Sequence, residues 1–535
     1  MSETMAIAYG PDALLVRFAE AADEAAFLRA QALVAELRRE PFAGLREIIP
    51  AFTTLLLDFE AGTGAAGREE VLRFLRGLRP DFVTTAPVAE SRLAEIPVDY
   101  DGPDLARVAV HAGLRPEQVI ARHAAPTYRV HCLGFAPGFP YLGGLDPRLA
   151  TPRLASPRLR VPAGSVAIGG GHTGIYSVPS PGGWNLLGTT DVKLFDPRAT
   201  SLEEMFRLRA GDRLRFLPKL RCEGEGTSEE DRESRSRLTS AATDRTKAPA
   251  EAMLRVLSPG LGAGLQDLGR PGFARFGVPP GGAMDPHAAA WANRLLDNPP
   301  SAAVLELCLQ GQRFEVLRPG WLAVTGSSAP SGQAANHAFR VRIGDVLEFP
   351  PGSAGVWTYL AVPGGFAGEL VLGSASVNPR AGIGSALAAG DEVAVAGGTH
   401  FDPPEAVAGR AIPWSEVSDF GRPPVLRVWP GPQWGSFGDA DWDRLFAVDW
   451  SVTSQCDRVG YRLAGPVLQP QTAQIISEPV LPGTIQVPAN GQPIVTMPDG
   501  PTIGGYPKLG IVDPADLFRL AQCRAGQRVR FVPAG

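Results

Sequence analysis

VPANGQPIVTMPDGPTIGGYPKLGIVDPADLFRLAQCRAGQRVRFVP, from Val487 to Pro533, has a counterpart earlier in the chain. VPAGSVAIGGGHTGIYSVPSPGGWNLLGTTDVKLFDPRATSLEEMFRLRAGDRLRFLP runs from Val161 to Pro218. Each begins VPA, turns at a glycine and passes through a short apolar strand to a TGIY or IGGYP element. Each ends in a DP turn, a short helix carrying FRL, and a closing strand of the form RAG-x-R-x-R-F-x-P. A repeat over this length marks one architectural unit used twice. The glycine-rich turns inside each copy are the expected places for chemistry, because backbone without a Cβ approaches a ligand closely.

The rest of the chain agrees with a protein built from short strands. Its 535 residues suffice for roughly three to five domains. Glycine (62) and proline (51) are abundant, which favours turns over long helices. Apolar content is 44% and charged content 20%, the balance of a globular protein with an ample core. The net charge of −5 implies no basic face for nucleic acid. The five cysteines are scattered, without CxxC pairs, as expected in a reducing cytoplasm. MSETMAIAYG lacks the basic and apolar regions of a signal peptide, and no apolar run is long enough to span a membrane.

Residues 1–92 read as a small α+β domain. Strands at Ala13–Phe18, Leu45–Ile49 and Thr53–Phe59 alternate with helices at Asp23–Arg39 and Arg68–Leu78. With Glu95–Tyr100 as a last strand, the order suggests a ferredoxin-like split βαβ. Residues 93–218 open with two short helices, the second with Pro116 at an early helical position, and continue into the first copy of the repeat. That helix pair superficially resembles a helix-turn-helix, but the second helix is not basic. Residues 219–252 mix both charges with Ser, Thr and Ala and carry almost no aliphatic side chains, the composition of a flexible linker. Residues 253–400 and 401–535 are expected to be two further barrel-like units. In the former, Asp285–Pro286 form an N-cap and N1 pair for a helix, and RIGDVLEFPP and ALAAGDEVAVAG repeat the closing strand weakly.

Several chemistries are missing. There is no P-loop, no GxSxG elbow and no His/Cys cluster for zinc. GSSAPSG, Gly326–Gly332, follows a strand as an ordinary turn with no lysine base nearby. Two candidate sites remain. In the first, Phe135, Phe139, Tyr141, Tyr176 and Trp184 line an apolar pocket, with His131, His172 and Ser180 as its polar groups. Taken alone, each aromatic reads as barrel core; the cluster, with its two histidines and many glycines, reads as a site. In the second, Ser477, Glu478, Gln486, Gln492, Asp499, Tyr506 and Lys508 stand among glycines and prolines. Asp499 could orient or deprotonate an amide nitrogen, or cap its own turn. Lys508 could hold an anion or be solvated. Arg270, Arg458 and Arg462 are forks suited to carboxylate or phosphate, although Arg458 could instead pair with Asp457.

Both halves resemble a known family. HCLGFAPGFPYLGGL, PRLASPRLRVPAGSVAIGGGHTGIY and SPGGWNLLGTT resemble the B subunit of bacterial ATP-dependent 5-oxoprolinase, also called allophanate hydrolase subunit 1. QDLGRPGFARFGVPPGGAMDP, ANRLLDNP, CDRVGYRLAG and SEPVLPGTIQVPANGQPIVTMPDGPTIGGYPKLG resemble the C subunit of the same enzyme. The pair, in the opposite order, resembles the carboxyltransferase part of urea carboxylase. The resemblance implies a mainly β fold with α+β, namely a ferredoxin-like N-terminal domain and cyclophilin-like β-barrels in both halves. It implies opening of 5-oxo-L-proline to L-glutamate with ATP as co-substrate and a separate A-type partner protein. The site residues are then Asp499, His131, His172 and Tyr506 for catalysis and the aromatic, glutamine, lysine and arginine groups above for binding, with no metal. Two alternatives stay open: carboxyl transfer to urea or a similar amide from biotin on a separate chain, and a non-enzymatic kinase-inhibitor-like regulator. Homo-oligomerisation is left open too. His172 stands where the family usually has glutamine, LLGTTD lacks the family's arginine, and Pro501 replaces a common glutamine.

Overall fold

The computed structural model describes residues 5–21, 23–77, 91–219, 252–397, 407, 409–472 and 474–535. All of the expected linker except its two end positions, Lys219 and Ala252, lies outside the described residues.

The N-terminal unit is an antiparallel sheet in the order Met5–Ala8, Ala13–Arg17, Thr54–Phe59, Leu45–Ala51. Helix Glu24–Arg39 begins where Asp23 accepts a hydrogen bond from the Ala26 amide, and it buries Phe27, Leu33, Val34 and Leu37. Helix Gly64–Gly77 follows the sheet. The split βαβ is therefore present, but its outer strand differs from the expectation. Met5–Ala8 takes that edge, and Leu93–Val98 pairs instead in parallel with Arg213–Pro218. The alternation in that strand suits either sheet, and its true partner lies far along the chain.

The repeat is real in three dimensions. In the first half the strand order is Asn185–Thr189, Ser165–Gly169, His172–Ile175, Pro140–Gly143, Tyr128–Leu133, Arg213–Pro218, Leu93–Val98. Asp99 and Thr189 then exchange backbone hydrogen bonds of 2.9 and 2.8 Å, bringing the two edges together. In the second half Lys508–Val512, Thr484–Gln486, Ile494–Thr496, Gly460–Ala464, Asp449–Cys456, Arg528–Pro533 and Val425–Pro430 form a closed barrel in the same topological order. Each has one parallel pair, made by its first and closing strands.

The equivalence corrects the sequence alignment. Gly164 and Gly483 both have positive φ, +81° and +87°. Gly164 N donates to Tyr176 O and Gly483 N to Thr496 O, each at 2.7 Å. The amides of Thr190 and Val512 return to the two glycine carbonyls at 2.9 Å. So Ala163–Gly164–Ser165 matches Pro482–Gly483–Thr484, and the VPA at Val487 lies one strand later. Likewise TGIY matches PIVT, and IGGYP matches SPGGW. Only left-handed backbone makes this turn, which is why the glycines rather than the VPA triplets mark the register.

Residues 252–397 do not form the expected barrel. They form two separate sheets, one of Val346–Glu348, Gln312–Val316, Ala252–Pro259 and Glu392–Ala394, the other of Ala263–Gln266, Val304–Cys308, Trp357–Ala361, Gly320–Gly326 and His337–Val341. Leu254, Val256, Phe314, Leu322, Leu347 and Leu360 pack together between them. The two weak closing-strand motifs supply the opposite edge strands of the first sheet. The helix Pro286–Arg294 forms as expected, with Asp285 Oδ1 accepting from Ala288 N at 2.9 Å.

The two halves share a core. Phe276 stacks on Phe206 with centroids 4.4 Å apart, and Gly277 has φ +78° with no room for a Cβ beside the Ala136 carbonyl. Arg275 N donates to the Glu47 carboxylate at 2.9 Å. Arg17 reaches Glu478 across the same interface at 2.8 Å. Burying Phe206 and Phe276 removes apolar surface from water, and the charged contacts help fix how the two halves face each other.

Candidate functional site

A cleft of about 640 Å³ lies between the two halves. The first half contributes Phe135, Tyr141 and Arg153 to it. The second contributes Arg462, Gln486, Ser477, Tyr506 and Gln474 among others. Phe135 sits in left-handed backbone, φ +67°, and the residue is 38% exposed. A bulky residue held this way costs about 1–3 kcal/mol, a strain that surrounding structure must impose. Tyr506 is 41% exposed on the opposite side. Arg380 pairs with Asp457 at 3.0 Å, whereas Arg153 and Arg462 make no ion pair among the described residues. The cleft therefore carries uncompensated positive charge beside an aromatic face and neutral hydrogen-bonding groups. That combination suits a small, anionic, amide-like ligand.

All five predicted aromatics come together behind the cleft wall. Phe139 is central, with ring centroids 5.2–5.5 Å from Phe135, Tyr141, Tyr176 and Trp184, each edge-to-face. Phe139, Tyr176 and Trp184 are buried, so they support the wall while Phe135 and Tyr141 form it. Two of the glycines make room for these rings. A Cβ on Gly169 would strike Trp184 at 2.5 Å, and one on Gly182 would strike the Tyr176 hydroxyl at 2.1 Å. Burial pushes the Tyr141 phenol well above its ordinary pKa, which keeps it a neutral donor. Ser180 Oγ donates to Val178 O at 3.3 Å, outside the cleft lining.

His131 and His172 are elsewhere. Both rings pack on Phe52 at the tip of an N-terminal hairpin, with centroids 5.2 and 5.0 Å away, and neither lines the cleft. Burial, then His172 and Arg129, lower the His131 pKa to about 4. Burial, then Arg153, lower that of His172 as well. They are neutral interface rings.

The second candidate group divides. Gln486 and Tyr506 line the cleft, and Gln486 Nε2 donates to Thr496 Oγ1 at 2.9 Å. Gln492 ties a hairpin instead, its Oε1 accepting from Gly465 N at 2.9 Å. Lys508 is fully buried, with Nζ 3.4 Å from Glu478, which Arg17 and Gln433 also hold. Burial, outweighing the attraction of Glu478, lowers the Lys508 pKa. Burial works against ionisation of Glu478, yet Lys508 and Arg17 hold its carboxyl below the ordinary value. This cluster joins the N-terminal sheet to the second barrel and is not solvated. Asp499 is held by Arg458, Nε to Oδ2 at 2.6 Å, so its carboxylate is neither a free base nor a simple turn cap. Arg458 also pairs with Glu306, and burial raises the Glu306 pKa. The expected Asp457–Arg458 pair is replaced by these partners. Arg270 lies away from the cleft, donating to the carbonyls of Val371, Ser374 and Ser376.

Sequence reading missed Arg153 and Arg380. Arg153 stands in a Pro-rich loop with no motif of its own, and only the fold brings it over the Trp184 ring, 5.9 Å from the centroid.

Comparison with known proteins fits this architecture. The carboxyltransferase domain family, subdomains A and B, matches residues 276–533, and subdomains C and D match residues 5–205. The C subunit of 5-oxoprolinase from Escherichia coli is 34% identical over 290 residues, 52% of this chain and 91% of that protein. The B subunit of 5-oxoprolinase from Bacillus subtilis is 40% identical over 225 residues, 39% of this chain and 90% of that protein. The crystal structure of TTHA0988 aligns with a TM-score of 0.80 at 37% identity, covering 97% of this chain and 99% of that one. By sequence and by fold, the chain belongs to the carboxyltransferase-domain family that includes these 5-oxoprolinase components, with a B-type half followed by a C-type half in one polypeptide.

Proposed function

We propose that this chain is the B/C portion of a cytoplasmic ATP-dependent 5-oxoprolinase, working with a separate A-type partner protein to open 5-oxo-L-proline to L-glutamate. Its barrels are read as cyclophilin-like and its N-terminal unit as a ferredoxin-like variant. The observation that carries the reading is the cleft itself, lined by two arginines from different halves that make no ion pair among the described residues and by one exposed phenylalanine. The substrate is a small cyclic amide bearing a carboxylate, and the cleft offers a counter-charge for each anionic group and a flat apolar surface for the ring.

The lactam is resonance-stabilised. ATP would supply the activation, a phosphoryl group on the lactam oxygen with ADP leaving. One water then adds to the ring carbon and the C–N bond breaks with the nitrogen leaving as an amine. A second water hydrolyses the resulting acyl phosphate to glutamate and inorganic phosphate. Arg153 and Arg462 hold the carboxylate and meet the negative charge that develops on the reacting oxygens. Gln486, Tyr141 and Tyr506 donate hydrogen bonds that orient the amide, and Phe135 keeps bulk water from the ring. The test is an assay of the full chain with the A-type partner, ATP and 5-oxoproline. Glutamate formation is expected.

The carboxyltransferase description of the matching family favours a second reading. Biotin on a separate chain would then supply CO₂ to an amide nitrogen such as urea's, with Tyr506 and Gln486 positioned to hydrogen-bond a ureido group. Consumption of carboxybiotin with urea, and no glutamate from 5-oxoproline, would replace the first reading by this one.

A further inference from the structure

The N-terminal unit, the first barrel and the second half meet around a cavity of about 650 Å³ that shares no lining residue with the cleft. Part of its wall is apolar, with Phe27, Val34, Leu37, Ile48 and Phe276 among its side chains. It also carries six arginines, Arg38, Arg46, Arg92, Arg129, Arg209 and Arg275, against two carboxylates, Glu47 and Asp212. Five of the six arginines are paired. Arg275 holds Glu47 and Arg92 holds Asp212, within the wall. Arg46 pairs with Asp58, Arg129 with Glu24 and Arg209 with Glu203. The last two carboxylates are 56% and 72% exposed, so water screens those pairs and each is worth little. Arg38 makes no ion pair among the described residues, and the charges that act on it are like charges. Partial burial, then the guanidinium groups of Arg275 and Arg209, lower its pKa. The helix dipole favours a cation in the last turn of Glu24–Arg39, but it does nothing for Arg209 or Arg275, which stand on other elements. Three guanidinium groups that share a part-buried space repel one another unless an anion joins them.

We propose that this cavity binds an organic phosphate monoester, its phosphoryl group among Arg38, Arg209 and Arg275 and its body against the apolar wall. A phosphoryl dianion brings three acceptor oxygens to three guanidinium forks, whereas a carboxylate brings two and a smaller charge. The cavity has room for a small organic body besides the phosphoryl group. The side chains of Arg209 and Arg275 keep 40% and 26% of their surface accessible, and Arg38 is exposed, so a solute reaches all three. Glu47 and Asp212 line the same cavity, but each is neutralised by its own arginine. Each also accepts from a backbone amide, Arg275 N and Arg209 N respectively, both at 2.9 Å. The site does not depend on the proposed reaction.

The test uses the full chain and phenyl phosphate as probe, with benzoate and inorganic phosphate as comparisons, by titration calorimetry at low salt. The pH is kept above the second phosphate pKa of about 6, so that the probe is a dianion. Saturable one-to-one binding of phenyl phosphate is expected, with a Kd on the order of 1 mM or tighter. Benzoate should bind at least roughly tenfold more weakly, about 1.4 kcal/mol. Inorganic phosphate should compete for the same site while binding more weakly than phenyl phosphate. Arg38→Gln and Arg209→Gln should each weaken phenyl phosphate several-fold. Arg153→Met, in the cleft, should leave its binding unchanged. No saturable binding, benzoate binding as tightly, inorganic phosphate binding as tightly or failing to compete, full binding in either Arg38→Gln or Arg209→Gln, or loss in Arg153→Met would each overturn the proposal.

Discussion

Arg458 grips Asp499 through two hydrogen bonds, Nε to Oδ2 at 2.6 Å and Nη2 to Oδ1 at 3.2 Å, while its Nη1 holds Glu306. The three side chains are 19%, 6% and 3% exposed, so little solvent screens them. Removing the cation would leave two buried carboxylates facing each other. Arg458→Met is therefore expected to destabilise the chain by about 3–5 kcal/mol, and Asp499→Asn by much less, because it relieves the excess negative charge. Urea unfolding of the two variants checks this. Equal midpoints would mean that Asp499 bears on stability as much as the arginine does.

How much of this is legible in the sequence follows from what kind of contact each feature makes. The repeat, the helices capped by Asp23 and Asp285, and the five-aromatic cluster are written in local patterns, and the structure contains them. The partners of Asp499, Lys508 and Glu478 are not, because Arg458–Glu306 and Arg17–Glu478 join residues whose closeness only the folded topology creates. The register between the barrels escapes for a related reason. VPA recurs by chance one strand out of phase, whereas the left-handed turns at Gly164 and Gly483 are physically required. The histidines look catalytic because composition cannot tell a ring that faces a cleft from one stacked on Phe52.

Those two glycines make a matched pair of experiments. An added Cβ would lie 2.3 Å from the Thr190 carbonyl at Gly164 and 2.9 Å from the Val512 carbonyl at Gly483. Both substitutions also force an L residue into left-handed backbone, about 1–2 kcal/mol in itself. Gly164→Ala and Gly483→Ala should both lower thermal stability, with Gly164→Ala the worse. The reverse order would show that the first barrel's open seam at Asp99–Thr189 relaxes more readily than the closed second barrel.

Acid should loosen the docking of the N-terminal sheet on the first barrel. The folded chain keeps His131 neutral down to about 4, against 6.5 in a solvated chain, and keeps His172 neutral below its ordinary range. Between those values the unfolded chain binds more protons than the folded one. Stability from this source is thus complete above pH 6.5 and declines as pH falls towards 4. One such histidine contributes a slope of roughly 1.4 kcal/mol per pH unit within the window. His131→Phe should flatten the curve of stability against pH by about that amount while leaving the alkaline side in place. An unchanged slope would mean that the ring takes up its proton without leaving Phe52.

Cleft and scaffold can be separated by activity in the assay with the A-type partner. Arg153 and Arg462 make no ion pair among the described residues, so replacing either by methionine should leave stability within about 0.5 kcal/mol of the parent. If they hold the anionic parts of the substrate, each loss should lower kcat/KM by roughly 10-fold or more, from the cost of a missing charge-assisted hydrogen bond. Phe135→Ala should act mainly through KM, since the exposed residue offers surface for the substrate and alanine, which keeps the Cβ, leaves the strain of the left-handed backbone as it was. Gln492→Ala provides the contrast. Its side chain only bridges the amide and carbonyl of Gly465, so it should shift the unfolding transition slightly and leave kcat/KM as it was. A drop in kcat/KM for Gln492→Ala matching that of Arg153→Met would place the reacting groups at the hairpin end of the second barrel instead of the cleft.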